Sequence, residues 1–224
     1  RMIITNYIIA LGLVCIVSYL IGSLNSAILT VYLVKHKDIR NYGSTNAGLT
    51  NVYRCFGAPC AAITLVADLL KGFVVVFGTR LVLFETGLFS AQEHDIMTAC
   101  LIASLFAVLG HVFPIYYKFK GGKGILVAGT CMAAIDWRVF LCELLVFVVV
   151  VLITRYVSVG SIACCIGYPV FSIIMGIFVH ESEYTYLHAI VAGIIGAVCL
   201  LRHIPNIKRL INHTENKFSF KKKK

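Results

Sequence analysis

Apolar residues in this chain come in long blocks, and the charges gather in the gaps between them. A bilayer core of ~30 Å needs ~20 mostly apolar residues per helical crossing, and several blocks reach that length. Alternating segments of about 10 residues, the mark of a membrane β-barrel, are absent. Inside hydrocarbon only helices and closed barrels satisfy the backbone, so the pattern predicts an all-α, polytopic integral membrane protein. Seven transmembrane helices are expected, at about 6–34, 58–83, 96–117, 123–136, 138–155, 159–180 and 185–202, the fourth of them short. All belong to a single domain over residues 1–224. The first block, Tyr7 to Val34, exceeds the ~7–15 residues of a signal-peptide core and reads as a retained span.

Composition supports this reading, because 59% hydrophobic residues in 224 leave too little polar surface to cover a soluble domain. Charge then sets the orientation. With the N-terminus outside and the C-terminus cytoplasmic, the cytoplasmic side collects Lys35, Lys37, Arg40, Arg54, Lys118, Lys120, Lys123, Arg155, Arg202, Lys208, Arg209, Lys217 and Lys221 to Lys224. The other side collects Glu85, Glu93, Asp95, Asp136, Glu181 and Glu183, with Arg1, Arg80 and Arg138. Such a Lys/Arg bias fixes topology. The net charge of +10 is thus one of membrane topology, and no basic face on a soluble module suggests nucleic acid. The nine cysteines are scattered through apolar segments without metal-ligand spacing, so neither a metal nor a disulfide framework is expected. Trp137 suits the headgroup level, and Ala192, Gly193, Gly196 and Ala197 allow close helix contact.

Three cytoplasmic segments carry candidate chemistry. In the first, Ser44, Thr45, Asn46, Gly48, Thr50 and Asn51 lead to Arg54. Glycines bring backbone N–H groups close to a ligand, and a helix starting near Thr50 would aim its positive end at an anion. Arg54, one turn in, adds a forked cation suited to phosphate. A solvated turn with a helix cap needs one such polar residue, not five, so an anion site is the better reading. In the second, Gly121, Gly122, Lys123 and Gly124 form a loop that carries a cation into a span. It is not a P-loop, since the GxxxxGK[ST] spacing is missing, and alone it could be a basic juxtamembrane loop. His111, just before it, reads as a packed histidine. In the third, His203 and Asn206 stand three apart and would share a helical face, although Pro205 suits a helix start better than an interior. Inside the membrane, Asp68 and Lys71 are placed to form a structural ion pair.

These segments, in this order, resemble the PlsY family of bacterial acyl-phosphate:glycerol-3-phosphate acyltransferases. The family pattern S-G-N-x-G-A-T-N-x-x-R is similar to Ser44 through Arg54. The pattern G-H-x-F-P followed by K-F-x-G-G-K-G matches Gly110 to Pro114 and Lys118 to Gly124, and D-x-L-K-G matches Asp68 to Gly72. The closing R-H-x-x-N-I-x-R-L…E matches Arg202, His203, Asn206, Ile207, Arg209, Leu210 and Glu215. Three positions depart: Thr45 and His213 stand where glycine is common, and Leu49 where alanine is usual.

The resemblance implies a seven-span helical enzyme of the bacterial inner membrane, with its active site on the cytoplasmic face and no cofactor. It would move a fatty acyl group from acyl phosphate to the 1-hydroxyl of glycerol 3-phosphate, giving 1-acyl-glycerol 3-phosphate and phosphate, the first step of phospholipid synthesis. Its partners would be acyl phosphate, glycerol 3-phosphate and membrane lipids. Ser44, Arg54, Lys123, His203 and Asn206 would be catalytic, and the loop residues with Gly121, Gly122 and Gly124 would hold phosphate. A CoA-dependent enzyme would show a histidine with an aspartate four residues on, and none of the seven histidines has an acid there. A non-enzymatic anion carrier or lipid-binding module would use the same basic loops but bind phosphate without turnover.

Overall fold

Every regular element among the described residues is helical. The structure is a computed structural model that describes residues 2–86, 93–180 and 183–217. Arg1, Glu181, Lys221 to Lys224 and the side chains of Glu85, Glu93 and Asp95, all used in the charge argument, lie outside the description. The helices are α1 (Met2–Ser23), α2 (Ser26–Lys35), α3 (Leu49–Thr86), α4 (Glu93–Val112), α5 (Ile125–Ile135), α6 (Trp137–Thr154), α7 (Val157–Phe178), α8 (Thr185–Leu201) and α9 (Ile204–Ile211).

Among the described residues, five helical stretches are long and apolar enough to cross a membrane, and six if the bent pair α8–α9 counts as one. Large apolar side chains cover their outer faces: Phe84, Ile153 and Phe178 are about three-quarters exposed, as lipid contact allows and water does not. Two expected boundaries move. The block 6–34 breaks after Ser23, because the Asn25 Oδ1 accepts the Ile28 N–H at 3.0 Å and so caps a new helix, α2. The expected span 58–83 belongs to a longer helix that begins at Leu49 and breaks at Gly57 (φ 80°), just ahead of Pro59. Only glycine takes that φ readily, and the proline ring excludes a straight helix behind it. The fourth block gives α5 with 11 residues, well short of the ~20 that a crossing needs.

The chain falls into two compact units, residues 1–135 and 136–224. In the first, α4 packs on α1, and α3 touches α1, α2, α4 and α5. The α1–α4 contact is backbone against backbone: a Cβ on Gly22 would strike the Ala107 carbonyl, and one on Gly110 the Tyr19 carbonyl. Without a hydrophobic drive between helices in lipid, such small-residue contact gains van der Waals packing that larger side chains would prevent. In the second unit α6, α7 and α8 pack in sequence, and Gly196 of α8 lies against the Cys165 carbonyl of α7.

Candidate active site

Asn51 organises the first polar loop. From the first turn of α3 its Oδ1 accepts the Ser44 N–H at 3.0 Å, and its Nδ2 donates to the carbonyls of Tyr42 (2.9 Å) and Asn46 (3.1 Å). The side chain is buried, so no water replaces these bonds, and the loop 42–51 is wrapped around one amide. Ser44, Asn46 and Gly48 are half-buried on this turn, Thr45 and Thr50 are exposed, and Arg54 is exposed one turn further along α3. The positive end of α3 thus sits at a glycine-containing loop followed by a guanidinium, an arrangement that favours an oxyanion.

The second loop is carried by the end of α4. Gly121 N–H donates to the Val112 carbonyl at 3.2 Å and Gly122 N–H to the His111 carbonyl at 3.1 Å. Gly124 (φ 86°) then turns the chain into α5, which leaves Lys123 half-buried at that helix start. Within this unit one contact joins the two loops, and others brace the segments that lead into them. Gly122 lies against the Ala47 carbonyl so closely that a Cβ would not fit. Asn25 Nδ2 donates to that same carbonyl at 3.4 Å. Arg40 pairs with Asp38 at 2.7 Å and donates to the Tyr117 carbonyl at 2.9 Å. The hydrogen bond from Arg40 is the main cause that holds the Asp38 carboxyl below its ordinary range. Tyr19 OH donates to the Phe113 carbonyl at 2.8 Å, which fixes the approach to the second loop from α1.

Beneath the loops, Asp68 and Lys71 are both buried and pair at 3.1 Å on α3. His111 of α4 joins them, its Nδ1 at 3.5 Å from Lys71 Nζ and 3.8 Å from Asp68 Oδ1. Reading the sequence left His111 as a packed histidine, and spacing along one chain could not bring α3 and α4 together. Arg40 and Asn25 were missed as loop supports too. Asn25, between Ser23 and Ser26, is the signal that an apolar window hides.

In the second unit His203 is buried, with Nδ1 at 2.8 Å from the Cys199 carbonyl. A carbonyl only accepts, so Nδ1 is the donor of this bond. Pro205 lies in the first turn of α9, and Asn206 follows on that turn, its N–H bonded to the His203 carbonyl at 2.8 Å. Glu215 closes the group: its carboxylate accepts from Asn206 Nδ2 at 2.8 Å and from Arg209 Nε at 2.6 Å. Burial would raise the Glu215 carboxyl, but the bonds from Arg209 and Asn206 outweigh it and leave it below the ordinary carboxylate range. This latch therefore stabilises the fold fully above the unfolded glutamate value of about 4.3 and loses its contribution as pH falls through the lowered folded value. The stability difference between the wild type and Glu215→Gln should be present at neutral pH and vanish in acid, read by denaturant unfolding at each pH.

Two departures from the family pattern acquire a physical meaning. Thr45 (φ 58°) and His213 (φ 55°) both adopt the left-handed conformation that favours glycine. His213 ends α9 in a Schellman turn, with its N–H on the Leu210 carbonyl at 3.1 Å and the Thr214 N–H on Arg209 at 2.8 Å. His213→Gly should stabilise the protein by about 1 kcal/mol, seen as a higher unfolding midpoint.

Taken together, apolar spans and loops built of glycine, amide and basic groups define a multi-pass helical membrane protein with sites suited to phosphate. Residues 12–213 match the family model for glycerol-3-phosphate acyltransferase, and the chain belongs to that family, the PlsY type. Glycerol-3-phosphate acyltransferases of Finegoldia magna and Bacillus subtilis are 36% and 37% identical, over 94% and 92% of this chain and 96% and 97% of their own. The fold is similar to crystal structures of PlsY (YgiH), an integral membrane glycerol 3-phosphate acyltransferase. Its glycerol 3-phosphate form has a TM-score of 0.75 and 31% identity, over 93% of this chain and 96% of that one. Its lysophosphatidic acid form has a TM-score of 0.73 and 30% identity, over 93% and 95%.

Proposed function

We propose that this protein transfers a fatty acyl group from acyl phosphate to the 1-hydroxyl of glycerol 3-phosphate, releasing 1-acyl-glycerol 3-phosphate and inorganic phosphate. It opens phospholipid synthesis at the cytoplasmic face of a bacterial inner membrane, in a seven-crossing domain over residues 1–224 with its N-terminus outside. The observation that carries this reading is the joining of the loops 44–51 and 121–124 where Gly122 lies against the Ala47 carbonyl. Both substrates bear a phosphate, and two adjoining anion loops are what such a pair requires.

Each residue then has a role. Ser44, Thr45, Asn46, Gly48 and Thr50 hold the donor phosphate, and Asn51, whose amide is spent on Ser44, Tyr42 and Asn46, shapes that turn without touching it, with Gly121, Gly122 and Gly124 shaping the second cradle. Arg54 and Lys123 offset the charge. His203 and Asn206 orient a phosphate or the attacking hydroxyl. The hydroxyl oxygen bonds to the acyl carbon, the bond from that carbon to the phosphate oxygen breaks, and the proton passes to the leaving phosphate. Phosphate leaves readily, so no acyl-enzyme is needed, and N–H groups and cations stabilise the oxyanion as it forms. Lys/Arg bias supports the orientation.

Donor choice tests the proposal. Purified protein in a lipid mesophase should acylate glycerol 3-phosphate from palmitoyl phosphate and not from palmitoyl-CoA. Saturable phosphate binding with no turnover from either donor would favour the anion carrier instead.

A further inference from the structure

The Asp68–Lys71 pair could be a plain structural ion pair, but its surroundings ask more of it. A buried pair often adds no stability over apolar residues of the same volume, so what this one orients is read from its neighbours. Both members lie on α3, three residues apart, and their single bond leaves ammonium protons and carboxylate lone pairs for a third group. The ring of His111 comes in from α4 with Nδ1 toward both of them, and it is itself 4% exposed. That contact fixes the ring plane, and the opposite ring nitrogen, Nε2, then faces Gly122. A Cβ on Gly122 would run into Nε2 and into the Ala47 carbonyl. The loop backbone is therefore pressed between the histidine and the first phosphate loop, and Lys123 is the next residue.

We propose that His111, oriented by Asp68 and Lys71, is a positioning residue that sets where Gly122 and Lys123 stand relative to the loop 44–51. It touches no substrate. It fixes the spacing of two loops that would each grip a phosphate, and so governs substrate affinity. This inference rests on the function proposed above.

Two substitutions at one position separate positioning from packing. Asparagine places its amide near the histidine Nδ1, so His111→Asn keeps the contact with Asp68 and Lys71 and the backbone bond from Gly122 N–H to the carbonyl of residue 111, and loses the ring's contact with Gly122. Glutamine reaches the Nε2 position, so His111→Gln keeps the loop contact and loses the other. If the ring positions the loop, His111→Asn shows the higher KM for glycerol 3-phosphate or acyl phosphate, about 5-fold or more above His111→Gln, with the smaller change in kcat. Equal KM values, or the higher one in His111→Gln, would overturn the proposal and leave a packed ion pair. Should His111→Asn not fold, Gly122→Ala takes its place: the added methyl pushes the loop off the ring, and an unchanged KM in that variant overturns the proposal equally. Arg54→Ala and Lys123→Ala are assayed alongside. If both keep wild-type KM and kcat, the phosphate-loop reading itself fails. If both lose activity while His111→Asn has the KM of His111→Gln, only the positioning role does.

Discussion

Replacing Asn51 by leucine should lower kcat/KM for acyl transfer by about 100-fold while most of the protein remains folded. The side chain holds the loop through three hydrogen bonds, to Ser44 N–H and to the carbonyls of Tyr42 and Asn46. At about 1 kcal/mol each their loss removes roughly 3 kcal/mol of loop preorganisation, and 1.36 kcal/mol corresponds to about tenfold. Leucine has nearly the same shape, so the effect is electrostatic and not one of volume. Steady-state kinetics beside a thermal unfolding curve decide it. Activity within about threefold of wild type would mean that the loop does not need this amide, or that it holds no substrate.

The largest effect on stability should come from Lys71→Met. Removing one member of a buried pair costs about 3–5 kcal/mol when the other stays charged. Asp68 is 2% exposed, and in this variant its carboxylate keeps only the more distant His111, at 3.8 Å, in place of the ammonium at 3.1 Å. The double variant Asp68→Asn/Lys71→Met removes both charges and should recover most of the loss. Unfolding midpoints in a mild detergent test this: the single variant should lie well below the double. A single variant as stable as the double would show that the two charges do not depend on each other.

What the sequence made legible was whatever depends on composition and local order. Long apolar blocks read as helices because the bilayer demands ~20 apolar residues of each crossing, and the structure puts helices in all of them. Helix interruptions were less visible. Asn25 is one amide in an apolar window and its capping role depends on a bond to Ile28, while the break at Gly57 hides within a continuous helical pattern. At the candidate site, the residue types of the loop 44–51 were readable, but not that Asn51 gathers it through a single side chain. The spacing of Asp68 and Lys71 announced a pair. His111, forty residues from Lys71, became its third member only through the packing of α4 on α3. Likewise Thr45 and His213 were visible as departures from glycine, whereas the positive φ that explains the glycine is a property of the folded turn.

The central claim, direct transfer from acyl phosphate at the phosphate loops, is tested most directly by product stoichiometry in one assay. Purified wild type and Arg54→Ala are supplied with palmitoyl phosphate and glycerol 3-phosphate, and phosphate release and lysophosphatidic acid are followed together. One phosphate released per acyl chain transferred, with both products lost in Arg54→Ala and no acylated protein at any time, is the expected result. Phosphate release without lysophosphatidic acid, an acyl-enzyme that accumulates, or full activity in Arg54→Ala would contradict it.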